Sequence, residues 1–194
     1  MNAAAVEVTR TDRKRAVQSL TLAFSSDPVV RWAWPDPERY LTYWPQFVEA
    51  FGGRAFDHGT AHGLDDCLAV ALWLAPGIEP DEETVTGLMR ESMDDQTLED
   101  IGGVFEQMDE LHPTDDHWYL PLMGVDPPAQ GRGLGSTLLG HALKTCDGDR
   151  LPAYLEATSP RNRNLYARHG FNIVEVIQAG TSPPLWAMLR PPAS

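Results

Sequence analysis

Glycine occupies every second position of Gly131-Arg132-Gly133-Leu134-Gly135, just after the apolar run Trp118 to Val125. No other feature constrains the chain as much. Alternate glycines leave backbone N–H groups unshielded by side chains. The residues that follow, Ser136 to Cys146, place Leu138, Leu139, Ala142 and Leu143 at helical spacing. Strand, glycine-rich loop and helix in that order make an anion cradle at a helix N-terminus, and a diphosphate is its usual guest. Taken alone, such a loop also suits a flexible turn at a helix start.

Charge narrows the candidate partners. The chain of 194 residues carries a formal net charge of -13 and shows no Lys/Arg stripe, so a nucleic-acid partner is not expected. An acidic surface concentrates cationic small molecules, although the same acidity also serves solubility. A polyanionic ligand would have to be held against this field, which raises the value of the loop amides and Arg132. With 42% hydrophobic and 22% charged residues, the composition is that of one globular domain able to bury a core. No apolar run approaches a membrane span, so no membrane partner is expected. The segment Met1 to Glu7 has neither a basic nor an apolar leader region. Cys67 and Cys146 stand outside any C-x-x-C or zinc spacing. A reducing, cytoplasmic setting is the expectation.

Along the chain, Val6 to Thr9 alternates as a short strand. Thr11 or Asp12 caps a helix to about Ser25, and Asp27-Pro28 stops it. Asp36-Pro37 starts another, with Tyr40, Trp44, Phe47 and Phe51 on one face. Thr60 to Leu64 and Cys67 to Leu74 form a hairpin around Asp65-Asp66. Residues 81–111 read as helical and acidic, in two pieces. Pro152 to Thr158 is a second buried strand, and Asn162 to His169 a short helix closed by Gly170. Asn172 to Ile177 and Leu185 to Arg190 are the last strands. A hairpin followed by alternating strands and helices predicts a mixed α/β sheet with helices on both faces.

Several chemistries are set aside by spacing. The glycines lack the G-x-G-x-x-G order of a dinucleotide fold, and neither G-K-[ST] nor G-x-S-x-G is present. His112, Asp115, Asp116 and His117 cluster like metal ligands, but in a proline-containing loop without a companion cluster, so no metal is expected.

The remaining combination is specific. Val125-Asp126-Pro127, the loop Gln130 to Ser136, Tyr154-Leu155-Glu156-Ala157-Thr158, Asn162, and Leu165-Tyr166-Ala167-Arg168-His169-Gly170-Phe171 follow one another in that order. Together they resemble the GNAT acetyltransferases, whose signature is Q/R-x-x-G-x-G/A after the fourth strand and a later Asn, then Tyr, ahead of Gly-Phe. The likeness is strong over residues 117–190 and diffuse before them. Ala23-Phe24, Val70-Ala71-Leu72-Trp73, Pro160-Arg161-Asn162 and Trp186 with Met188 and Arg190 add a likeness to the puromycin N-acetyltransferase branch.

The resemblance implies one GNAT domain over residues 1–194. Residues 1–116 would form the acceptor side, including the acidic helical segment 81–111, and residues 117–194 the acetyl-CoA side. It implies a sheet splayed between its fourth and fifth strands, with acetyl-CoA in the wedge. Met123, Gly124 and Val125 would pair with the pantetheine arm. Gln130, Gly131, Arg132, Gly133, Leu134, Gly135 and Ser136 would hold the diphosphate, and Asn162 the arm. Tyr166 would protonate the departing thiolate, with a helix residue packing on the sheet as its alternative. Glu156 is the candidate base; the other reading is a carboxylate paired with an arginine such as Arg161. Asp27, Trp32 and Trp34, the last two in a proline-bounded loop, are the candidate acceptor contacts. The branch carries a tyrosine where this chain has Asp27, and an acidic residue there suits a cationic amine. The implied activity is acetyl transfer to a small-molecule amine. A protein or peptide amine, and a module that binds acetyl-CoA without catalysing, are the alternatives.

Overall fold

The computed structural model describes residues 5–193. Residue 194 and residues 1–4, on which the reading of the N-terminal leader partly rests, lie outside it. Strand β1 (Val6–Glu7) leads into α1 (Arg13–Ala23), α2 (Pro28–Ala33), α3 (Pro37–Gly52) and the single turn α4 (Arg54–Asp57). The hairpin β2 (Ala61–Leu64) and β3 (Ala69–Leu74) follows, then α5 (Glu82–Ser92) and α6 (Asp95–Leu111). Strand β4 (Trp118–Val125), α7 (Leu134–Asp149), β5 (Ala153–Ala157), α8 (Pro160–Arg168), β6 (Asn172–Ile177) and β7 (Leu185–Arg190) complete the order.

Local chemistry explains most helix starts. Asp27, Asp36, Asp81 and Asp94 each accept hydrogen bonds from first-turn N–H groups of α2, α3, α5 and α6, and Ser159 does so for α8. Proline opens α2, α3 and α8, where its missing N–H is not needed. Part of the acidic composition therefore caps helices. The expected loop around Trp32 and Trp34 is instead α2, because the capping carboxylate of Asp27 and Pro28 together nucleate a turn and a half. Helices α7 and α8 each start two residues earlier than the sequence suggests.

Among the described residues the strands form one seven-stranded mixed sheet in the order β1-β2-β3-β4-β5-β7-β6. Only β4 and β5 run parallel. Strand β3 is buried on both sides, so its alternation shows the two layers directly. Val70, Leu72 and Leu74 face a core shared with Leu20 of α1, Val48 of α3, and Val85 and Ile101 of α5 and α6. Ala69, Ala71 and Trp73 face a second core made with Leu138, Leu139 and Leu143 of α7 and Tyr166 of α8. Helices cover both faces, as the sequence predicts.

At the centre α1 comes very close to β4. A Cβ on Gly124 would stand 2.6 Å from Cβ of Ala23 and 3.1 Å from Cδ2 of Leu20. Those are a helix side chain and a buried leucine, neither free to swing away. Gly124→Val is therefore expected to destabilise the fold by about 1–3 kcal/mol through overpacking. A lowered urea midpoint at unchanged m-value checks this. An unchanged midpoint would mean that α1 slides freely over the sheet.

Candidate active site

The parallel pair β4–β5 is joined only at Trp118↔Ala153 and Tyr119↔Tyr154. Beyond Tyr119 the two strands part. On its other side β4 stays paired to β3, but the register shifts: Leu72 faces Leu122, whereas Leu74 faces Tyr119. Three residue steps on β4 thus span two on β3, a bulge that contains Pro121. A proline lacks the N–H that a ladder needs, so an irregular ladder is where it fits. The result is a wedge with the free main-chain edge of Met123–Val125 along one wall.

A cleft of about 350 Å³ fills this wedge. Met123, Gly124, Val125, Gln130, Gly131, Gly133, Leu134, Gly135, Ser136, Asn162 and Tyr166 all line it, together with Asp27. Gly131 and Gly133 have φ of +79° and +82°, a left-handed conformation that favours glycine. Gly133 is the N-cap of α7 and offers no capping side chain. First-turn amides of a sixteen-residue helix thus lie bare at the mouth of the cleft. Gln130 acts as a clamp. Its Nε2 donates to the Val125 carbonyl (3.0 Å) and its Oε1 accepts from Arg161 Nη1 (2.7 Å). Ser136 Oγ lies 2.6 Å from His169 Nε2, which ties α7 to the end of α8. Arg132 is exposed, donates to the Pro128 carbonyl (3.2 Å), and is not among the cleft-lining residues.

Tyr166 is 6% exposed and reaches the cleft from the α7–α8 layer. Burial, with the Asp27 carboxylate nearby, pushes its phenol well above the ordinary range, so it holds its proton at neutral pH. Asp27 itself is 8% exposed. Its Oδ1 accepts from the amides of Val29 (3.0 Å) and Val30 (3.1 Å), and its Oδ2 from the Thr158 hydroxyl. The carboxylate proposed for an acceptor amine is therefore committed to capping α2 and tying it to the end of β5. Trp34 is 2% exposed, donates to Ser92 Oγ (2.8 Å) and packs edge-on against Trp44 and Phe47. Trp32 donates to Thr181 Oγ1 (3.2 Å). Both indoles bridge elements and lie away from this cleft, but Trp34 also lines a small apolar pocket that contains Glu156.

Glu156 stands on β5, pointing to the opposite layer from Tyr166's. Its Oε2 accepts from the Tyr119 hydroxyl (2.9 Å), while Oε1 is buried without a hydrogen-bond partner. Arg161 is engaged by Gln130, so the arginine pairing left open by the sequence is not made. Burial raises the Glu156 carboxyl to about 7, against the opposing pull of the Tyr119 hydrogen bond and of the nearby Tyr154 hydroxyl, which makes no hydrogen bond of its own. A carboxylate poised near neutrality can take a proton at physiological pH and release it again.

Tyr119, Tyr154 and His112 are the neighbours that the sequence reading missed. Strand alternation puts Tyr154 and Glu156 on one face, and that period was the available signal. The ring of His112, from the loop after α6, meets both tyrosines edge-on at 4.8 and 4.9 Å. Its Nε2 lies 2.9 Å from Nε2 of His117, whose Nδ1 faces the Asp115 carbonyl at 2.8 Å. Because a carbonyl only accepts, His117 Nδ1 donates, and in neutral His117 the Nε2 accepts from His112. Burial and the second imidazole press His112 down to about 4. Among the described residues, no three His, Cys, Asp or Glu side chains converge to hold a metal ion.

The Acetyltransferase (GNAT) family model matches residues 26–171. An uncharacterised N-acetyltransferase of Schizosaccharomyces pombe is 27% identical over 206 residues, covering 97% of this chain and 83% of its own. A solved structure from Corynebacterium glutamicum, described as histone acetyltransferase HPA2 and related acetyltransferase, aligns at a TM-score of 0.71 and 25% identity. It covers 100% of this chain and 98% of its own. Arylalkylamine N-acetyltransferase 2 from Aedes aegypti aligns at 0.68 with 12% identity over 98% and 99% of the two chains, a likeness of fold alone. Family model, relative and splayed sheet agree: the chain belongs to the GNAT acetyltransferase family and is an N-acetyltransferase.

Proposed function

We propose that the protein moves the acetyl group of acetyl-CoA onto a primary amine of a small molecule by direct attack. The observation that carries this reading is the break between β4 and β5. It opens the sheet between a bare-amide cradle with Tyr166 on one side and, on the other, the Glu156 carboxylate, whose Oε1 lacks a hydrogen-bond partner.

The cleft suits the diphosphate and arm of acetyl-CoA in three ways. First-turn amides of α7 are uncapped by any side chain. A Cβ at Gly131 or Gly133 would meet nothing within 4 Å, so the space over the loop is open. Past Tyr119, the edge of β4 has no strand partner on the β5 side. When bound, acetyl-CoA supplies an acetyl thioester that amines attack. The amides of residues 134–136 hold its diphosphate, Met123–Val125 its arm, and Asn162 orients that arm from α8. Glu156 accepts a proton from the incoming ammonium, leaving the neutral amine that attack requires. Tyr166 keeps a proton at Oη for the departing sulfur. Of the two protons lost by the nitrogen, one ends on the CoA thiol and one leaves to solvent. Cys67 and Cys146 are buried, free, and outside the cleft lining, and burial raises both thiols. An acyl-cysteine step has no nucleophile here.

Among the described residues no helix is long and apolar enough to cross a membrane. With two reduced cysteines and a net charge of -13, the reading places the reaction in the cytoplasm, without nucleic acid. The short-motif likeness to puromycin N-acetyltransferases makes antibiotic-like amines reasonable acceptors to test.

Acetyl-CoA at 100 times its Kd is expected to stabilise the fold by about 2.7 kcal/mol, read as a rise in Tm. Gly133→Asn gives the sharper test. Asparagine tolerates the left-handed conformation, and as an N-cap its side chain accepts the very amides the diphosphate needs. The variant is expected to keep or raise the Tm of the free protein and to lose the shift with acetyl-CoA. No shift in the native protein would remove the reading.

A further inference from the structure

A second cavity, of about 540 Å³, opens on the other layer of the molecule, between the end of α3, α5 and α6. Its walls mix apolar side chains with Thr86, His112 and Tyr119, and five of its residues, Phe51, Met89, Ile101, Phe105 and Met108, also line a smaller, apolar pocket of about 90 Å³. Glu156 and Pro121, in the bulge, line that smaller pocket. The larger cavity has Tyr119 among its lining residues, and Tyr119 donates to Glu156. Two adjoining pockets with shared apolar walls thus lie between the surface and the carboxylate at the splay. Its exposed rim carries Glu79, Glu82 and Asp109 against the single cation Arg90. His112, also on this cavity, is held neutral by burial and adds no positive charge at pH 7.

We infer that this space is the acceptor site and that its substrate is a primary amine on an apolar body, such as a phenylalkyl or branched alkyl amine, without a carboxylate. The inference rests on the acetyl-transfer reading above and narrows its substrate class. Three independent features carry it. The orphan Oε1 of Glu156 needs a buried donor, which an ammonium N–H supplies. The larger cavity has only Thr86, His112 and Tyr119 as polar wall residues besides its charged rim, and the smaller pocket beside Glu156 is apolar but for Thr158, whose hydroxyl is given to Asp27, so the hydroxyls of an aminosugar or the inner nitrogens of a polyamine would be poorly paired there. Three rim carboxylates attract a cation to the mouth and repel a substrate carboxylate. The amine enters first and meets Glu156, and the apolar body fills the space behind it, against Phe105 and Met108.

The test uses the full chain with acetyl-CoA and measures CoA release against 2-phenylethylamine, hexylamine, puromycin, spermidine, phenylalanine and an aminoglycoside. We expect kcat/KM for the first two to exceed that for spermidine, phenylalanine and the aminoglycoside by at least 10-fold. Phe105→Ala is expected to narrow that ratio by 10-fold or more while leaving the Tm shift with acetyl-CoA in place. Met108→Asp should move preference toward spermidine. Calorimetric titration of 2-phenylethylamine into the protein saturated with CoA gives a readout that needs no turnover, and saturable binding lost in Phe105→Ala is expected. A preference for spermidine, phenylalanine or the aminoglycoside, or no binding of 2-phenylethylamine, overturns the substrate class. If acetyl-CoA is consumed with those other amines, acetyl transfer stands and only the class falls. If acetyl-CoA neither shifts Tm nor is consumed, both fall together.

Discussion

Glu156→Gln is expected to slow turnover at pH 7 by about 10²–10⁴-fold, the usual scale for a positioned general base. The amide oxygen still accepts from Tyr119, so the local hydrogen bond survives and acetyl-CoA affinity should not change. In the native enzyme kcat/KM should rise with pH through a midpoint near 7, the value to which burial lifts this carboxyl. The variant should lack that step, and its deficit should shrink at high pH as the acceptor deprotonates in solution. Stability supplies an independent sign. The folded-state value lies above the 4.5 of an exposed glutamate, so the folded protein binds this proton more tightly than the unfolded chain does. That contribution is full below pH 4.5 and is lost as pH rises through about 7. Above pH 7 the native protein carries a buried carboxylate at a penalty on the order of 3 kcal/mol, which glutamine removes. The variant's urea midpoint at pH 8 should therefore match or exceed that of the native protein. Lost activity with retained or increased stability identifies a base. Unchanged turnover with an unchanged pH midpoint would show that the amine loses its proton elsewhere.

Tyr166→Phe removes one hydroxyl from the opposite wall of the splay. Turnover is expected to fall by about 10²–10⁴-fold, with little change in Tm or in acetyl-CoA affinity. The ring is what packs: it meets Phe171 at 5.9 Å within the core of α7, α8 and the sheet, and phenylalanine keeps that contact. The phenol is held protonated by burial and by the Asp27 carboxylate, so it is suited to give a proton and not to take one. Single-turnover acetylation, measured beside equilibrium binding of acetyl-CoA, separates the roles. A fall in stability with normal turnover per folded molecule would make Tyr166 a packing residue. Normal turnover and stability together would mean that the thiolate departs unaided, which a thiol pKa of about 8.5 allows.

The two substitutions act from opposite layers of one sheet, and the gap between β4 and β5 is where those layers communicate. Much of this was legible along the chain. The glycine loop, the helix it feeds, and the Asn162–Tyr166–Gly170 spacing are local patterns, fixed by backbone freedom and by the period of a helix. They bring these residues to one cleft because each pattern depends only on residues a few positions apart. The mixed sheet followed in the same way from alternating strands and helices. Even Asp27, assigned to an acceptor amine, sits at the cleft, but its side chain answers a nearer demand, the open amides of α2. Trp32 and Trp34 read as a loop beside prolines, but the capping carboxylate makes residues 28–33 a helix, and Trp34, its C-cap, turns inward to line the small pocket that contains Glu156.

What the sequence determined by itself is therefore the glycine loop, the helix that follows it, the placing of Tyr166 on the last short helix, and the family. Only the tertiary structure decided the rest. The setting of Glu156 depends on Tyr119, Tyr154 and His112, which lie 2 to 44 positions away and meet only when β4, β5 and the loop after α6 assemble. The acceptor space is enclosed by side chains of α3, α5 and α6 whose spacing in sequence signals nothing more than amphipathic helices. A helix face that covers a core and one that walls a cavity carry the same pattern of apolar residues. The difference lies in how far the opposite wall stands, and long-range packing sets that distance.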